Sequence, residues 1–123
     1  MIQGEADFVS WLDNQLSEFI PSDIQAFCIN IYESPFCIEV IGSSEYTSDD
    51  EDWVCNENWI PNCRVVAIKS SLFGESWVSA QSQVVNWSKS YFSSEAQNVI
   101  ILKQAKAFAV GFVDGDLEYI SGN

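Results

Sequence analysis

The chain has 123 residues, with 18 acidic side chains, 5 basic ones and no histidine, for a formal net charge of −13. One domain over residues 1–123 is expected, because two cores would each fall near the lower size limit. A hydrophobic content of 47% is too high for a disordered acidic tail. Without imidazole there is no Ser-His or Cys-His nucleophile pair, no imidazole base and no histidine-containing zinc site. The shortage of Lys and Arg excludes direct binding to a nucleic-acid backbone or an anionic membrane surface.

Phe8, Trp11, Leu12, Leu16, Phe19 and Ile20 fall on one face at helical spacing. They predict an N-terminal amphipathic helix that Pro21 stops, with Asp7 at the positive end of its dipole. Phe27, Ile29 and Ile31 alternate with Cys28, Asn30 and Tyr32. Phe36, Ile38 and Val40 alternate with Cys37, Glu39 and Ile41. These read as two strands, and Glu33-Ser34-Pro35 is short enough to make them a hairpin.

Residues 43–62 are polar and read mostly as loop, with Trp53-Val54-Cys55 a candidate short strand. Arg64 to Ile68 reads as a third strand. Trp77, Val78, Val84, Val85, Tyr91 and Phe92 predict a second amphipathic helix, with Ser76 a candidate cap. Ser94 to Leu102 reads as a further short helix capped by Ser94. Ala107–Val113 and Leu117–Ile120 flank Asp114-Gly115, a type I′ turn signal, and predict a closing hairpin. Strands grouped between helices argue for an α+β fold: a largely antiparallel sheet, the N-terminal helix, and one or two helices in the second half. The five tryptophans read mostly as core.

The charge is uneven. Residues 1–58 contain 13 acids and no base, whereas 59–123 hold 5 of each. The densest stretch is Glu45-Tyr46-Thr47-Ser48-Asp49-Asp50-Glu51-Asp52-Trp53, followed by Glu57. Four consecutive carboxylates suit either a solvated loop or a docking surface for a basic partner. Carboxylates accept bidentate bonds from Arg, and Tyr46 and Trp53 are candidate aromatic anchors, although Trp53 also fits the core. The acids are contiguous rather than alternate and no glycine follows, so an EF-hand is not expected.

Phosphate-cradling glycine motifs are missing. Gly74-Glu75-Ser76-Trp77-Val78 starts like a nucleophile elbow but lacks its closing glycine and any histidine. Asp114-Gly115-Asp116 could hold a metal between two carboxylates, but a turn explains it more simply. Cys28, Cys37, Cys55 and Cys63 have no Cys-x-x-Cys spacing, which argues against a zinc site. The first residues lack a basic region followed by a long apolar run, and no stretch is long enough to span a membrane. A cytoplasmic location with reduced thiols is therefore expected.

Asn30-Ile31-Tyr32-Glu33, Phe36–Gly42, Asp49–Cys55 and Ala109–Ile120 together resemble small bacterial immunity proteins of contact-dependent and other polymorphic toxin systems. These segments cover about a quarter of the chain. Immunity proteins have unrelated folds, so the resemblance implies a role more than an architecture. It implies a non-enzymatic protein that binds a cognate toxin domain, often a nuclease, and blocks it. A nuclease holds phosphates and tends to be basic, which would match the acidic half here. The expected contacts are Glu45, Tyr46, Asp49, Asp50, Glu51, Asp52, Trp53 and Glu57, with no catalytic residue, metal or cofactor. Two other readings stay open: a nucleic-acid mimic that occupies a DNA-binding protein, and a small carboxylate- or metal-dependent enzyme.

Overall fold

The computed structural model describes residues 1–33, 36–69, 77–113 and 115–122, with Trp77 described by its backbone alone. Its elements are α1 (Glu5–Gln15), β1 (Ala26–Tyr32), β2 (Cys37–Ser43), a 3-10 helix (Glu51–Cys55), β3 (Val66–Ala67), α2 (Trp77–Phe92), α3 (Val99–Gln104), β4 (Ala107–Phe112) and β5 (Glu118–Ser121). The strands form one sheet in the order β3-β2-β1-β4-β5. β1 and β2 pair antiparallel from Ala26↔Ser43 to Tyr32↔Cys37, as the hairpin reading requires. β4 returns through α2 and α3 to lie parallel to β1, from Ala26↔Ala107 to Ile31↔Phe112. β2–β3 and β4–β5 are antiparallel. The protein is thus α+β, with a mostly antiparallel sheet and an N-terminal helix.

The alternation along the strands sorts residues into two layers. Phe27, Ile29, Ile31, Ile38, Val40, Phe108 and Val110 pack with Phe8 and Leu12 of α1, Val84, Trp87 and Tyr91 of α2, and Leu102 of α3. Cys28, Ile41 and Ala109 face the other way and pack with Trp53. β1 and β4 are covered on both faces, which explains their continuous apolar runs.

α1 ends at Gln15, well before Pro21. The Ser17 and Glu18 amides donate to the carbonyls of Asn14 and Gln15, closing a turn. The Phe19 carbonyl accepts from the Trp59 indole at 3.0 Å, and the Phe19 side chain is 85% exposed instead of in the predicted apolar stripe. Val78 likewise points to solvent. The buried stripe of α2 is Ala80, Val84, Trp87 and Tyr91. The helix after it starts at Val99, not Ser94. Ser94 closes a turn instead: its hydroxyl donates to the Tyr91 carbonyl at 2.6 Å and accepts from the Ala96 amide at 3.2 Å.

Asp13 fastens α1 to this region. Its carboxylate accepts from the Tyr91 hydroxyl at 2.7 Å and from the Asn98 amide at 3.0 Å. Burial, reinforced by this bond, pushes the Tyr91 phenol well above its ordinary range. The third predicted strand shrinks to Val66–Ala67. The predictions at Ser34-Pro35, Gly74–Ser76 and Asp114 lie outside the described residues.

Gly111 sits where β4 passes the segment leading into β5. A Cβ there would lie 2.9 Å from the Asp116 carbonyl oxygen and 3.0 Å from Leu117 Cδ2. Gly111→Ala is therefore expected to cost about 1–3 kcal/mol, read as a lower urea midpoint at unchanged slope.

Candidate functional site

The second half of the acidic run continues into a 3-10 helix, Glu51–Cys55, so Trp53-Val54-Cys55 is not the candidate short strand, and this turn lies over the second sheet face. Asp50 precedes it in extended geometry, and its carboxylate accepts from the Asp52 amide at 2.8 Å. This cap commits the chain to a tight turn. Trp53 then points inward and is only 3% exposed. Its indole N–H donates to the Tyr119 hydroxyl at 3.2 Å, and its ring meets Tyr46 edge-on at 5.6 Å. Trp53 is therefore the peg that holds the turn: of the two readings the sequence left open, core and exposed anchor, the core one holds, and the expectation of Trp53 as a contact residue is corrected. Burying a large apolar ring outweighs keeping it in water. Tyr46 is half-buried beside it.

The flanks are tied down as well. Asn56 donates to the Glu45 carboxylate at 3.0 Å, and the Asn58 side chain accepts from the Ser44 amide at 2.9 Å. Gly42 exchanges backbone bonds with Trp59. Sequence polarity correctly marked residues 43–62 as mostly without strands. It could not show that the loop is docked along its length.

Asp49, Asp50, Glu51 and Asp52 are all exposed, as is Glu45. Among the described residues, the ion pairs are Arg64–Glu39, Arg64–Glu57 and Lys89–Glu118, so none of the four consecutive acids has a basic partner. Glu57 differs: it holds the Arg64 guanidinium at 2.7 Å. Not every N-terminal acid extends this surface. Glu5, Asp7 and Asp13 belong to α1, which packs on the opposite layer. The charge excess of the first half is therefore divided between two layers, with its densest part at the 3-10 helix.

Sequence reasoning missed a buried carboxylate beside this surface. Glu39 of β2 is fully buried. Its oxygens accept from the Tyr32 hydroxyl at 2.9 and 3.1 Å and from Arg64 Nε at 3.0 and 3.2 Å. A lone Glu inside an apolar strand, with a single Arg downstream, was the available signal. The neighbouring carboxylates push the Arg64 guanidinium further above its usual range. Burial, followed by the bond to Glu39, pushes the Tyr32 phenol from its ordinary value of 10 up to about 12. A raised folded-state value means that the protonated phenol stabilises the fold. That contribution is complete below pH 10 and is lost as pH rises through 12. Tyr32→Phe is accordingly expected to flatten the alkaline limb of stability in this window, as followed by urea unfolding at stepped pH.

Two clefts flank the 3-10 helix. The larger, of about 420 Å³, opens between the 3-10 helix and the β4–β5 end of the sheet. Asn30 lies within it, with Glu51, Asp52 and Glu57 contributing charge and Val54 and Leu117 apolar wall. The smaller, of about 120 Å³, is bordered by Glu45, Tyr46, Asp50 and Trp53. Asp52 borders both.

All four cysteines are free. Burial pushes the Cys28 thiol far up, which keeps it from acting as a thiolate nucleophile. Among the described residues, no group of three or more Cys, Asp or Glu side chains is arranged to hold a metal ion, and no helix is long and apolar enough to cross a membrane. Comparison with protein-family models, curated proteins and solved structures gave no match to this chain.

Proposed function

We propose that this protein is a non-enzymatic, immunity-type inhibitor. It binds a basic toxin domain, of which a nuclease is the best-fitting class, and acts in the cytoplasm. The observation that carries this reading is the set of four adjacent carboxylates, exposed and without a basic partner among the described residues, on a turn pegged to the sheet by Trp53. Packing like charges together costs folding energy, and a merely solvated loop has no need of a buried peg. A fixed acidic surface speeds encounter with a basic partner and orients it. The resemblance of segments 30–33, 36–42, 49–55 and 109–120 to immunity proteins points the same way.

The test uses the chain as bait in a lysate of its source, washed at low and at high salt, beside an Asp49→Lys/Asp52→Lys variant. The captured chain is then expressed with and without the protein to ask whether its toxicity is suppressed. A basic, toxic partner whose binding falls with salt and whose toxicity is suppressed is expected. The double reversal should weaken that binding by about 100-fold, while folding stability stays within about 0.5 kcal/mol or rises slightly. Full suppression by the reversed protein would remove these acids from the interface.

A further inference from the structure

On the first sheet layer, away from the acidic turn, lies a groove of about 400 Å³. It runs between the segment leading from α1 to β1 and the end of α3. Ile20, Pro21 and Ile24 give one wall its apolar surface, Ile101 and Ala105 the other, and the buried Phe27 lies between them.

Phe19 stands at the rim of this groove. Its sequence neighbours Glu18 and Ile20 both line it, yet the Phe19 ring points to water. The backbone imposes that direction. The Ser17 and Glu18 amides close a turn onto Asn14 and Gln15, and the Trp59 indole holds the Phe19 carbonyl at 3.0 Å. A lone exposed phenylalanine is ordinary. One fixed at the rim of a groove with apolar walls puts a knob and a hole on the same surface. About 150 Å³ is enough to take a benzene ring, so the groove has room for one such side chain.

The charges of the two walls say whose ring that is. Glu18 belongs to the first wall and Asp23 is exposed in the same segment. Lys103 and Lys106 flank the second wall, and both are exposed. Among the described residues neither lysine has an ion-pair partner, although Lys103 rests over the Phe92 ring. In a chain of net charge −13 with 5 basic residues, such a concentration of two is notable for its position. An acidic wall opposite a basic wall is self-complementary. A twofold axis along the groove lays each acidic wall on the basic wall of a second copy, and carries each Phe19 towards the other copy's groove.

We infer that this face joins two copies of the chain, the Phe19 ring of each entering the groove of the other while Glu18 and Asp23 face Lys103 and Lys106. The acidic turn lies over the opposite sheet face, so the pairing leaves it open in both copies. The inference goes beyond the docking reading and does not depend on it.

Sedimentation equilibrium of the full chain tests it, at about 0.15 M salt to screen the overall negative charge. A monomer–dimer equilibrium is expected, with a dissociation constant on the order of 10 µM. Phe19→Ser should weaken the dimer by about tenfold or more and leave the fold intact, because the ring is exposed. Lys106→Glu should weaken it several-fold, and adding Asp23→Lys to that variant should restore most of the loss. A parent chain that stays monomeric up to about 500 µM, or a dimer that Phe19→Ser leaves unchanged, would overturn the proposal. So would loss of the dimer in the Asp49→Lys/Asp52→Lys variant, which would place the contact at the acidic turn. A monomeric chain whose captured partner is lost on Phe19→Ser would assign the groove to that partner and equally overturn the pairing of copies. The docking reading is judged separately, by the reversals at Asp49 and Asp52 on the captured partner.

Discussion

Trp53→Ala should lower folding stability by about 3–5 kcal/mol, the range for removing a large buried aromatic ring. On the second sheet face the indole packs over the small side chains of Ala26, Cys28, Ala107 and Ala109 beside Ile41, with Tyr46 and Tyr119 at its rim. The alanines and the cysteine beneath it cannot expand to refill the space. The Tyr119 hydroxyl loses its indole donor, and Tyr46 loses its edge-on contact. Urea unfolding followed by circular dichroism would measure the loss. The substitution should also weaken partner binding although the indole does not reach solvent, because the four acids would no longer be held in one arrangement. Trp53→Phe should restore most of the stability and most of the binding. If Trp53→Ala binds as tightly as the parent under conditions where both are folded, the ordered turn is irrelevant to recognition.

The second large effect is expected at Arg64. Arg64→Ala leaves Glu39 buried with only the Tyr32 hydroxyl to offset its charge. Glu39 is fully buried but Arg64 is exposed, so losing the arginine should cost about 2 kcal/mol, and for a chain of this size the melting temperature should fall by roughly 10 °C. Adding Glu39→Gln to that variant removes the stranded charge and should recover much of the loss. If both variants unfold alike, the deficit comes from lost packing of the arginine stem rather than from the charge. The two effects are separable in function as well. Arg64 also holds Glu57, whereas the acids at 49–52 make no ion pair with it.

Sequence legibility followed the range of the interactions involved. β1 and β2 were readable because each apolar alternation reports a local pleat, and a short connection leaves few pairings. Phe19 misled because the same spacing that marks a helix face continued beyond the helix. The turn after Gln15 is closed by local backbone bonds, and the bond to the Phe19 carbonyl comes from Trp59, 40 positions away. Val78 misled in the same manner, its spacing outweighed by the stripe that Ala80 and Trp87 complete. At the candidate site, the exposure of Asp49–Asp52 was legible from their charge. The inward turn of Trp53 was left open by sequence, since a tryptophan beside acids suits both an anchor and a peg. The Glu39–Tyr32–Arg64 cluster was not found, because only β-sheet register and the chain's return at residue 64 bring those groups together.

The parallel pairing of β1 with β4 sets the order in which the protein can be completed. The central strand has one neighbour, β2, immediately after it in sequence, but the other comes from residues 107–112. During synthesis the hairpin and the acidic loop emerge long before β4 can cover the open side of β1. Closing so distant a pair is slow, and an uncovered central strand invites pairing with other chains. The segment exposed through that wait carries nearly all of the net negative charge. Repulsion between nascent copies would keep them apart until the last strands arrive. The acids would thus protect the chain from aggregation at birth, before any partner is met.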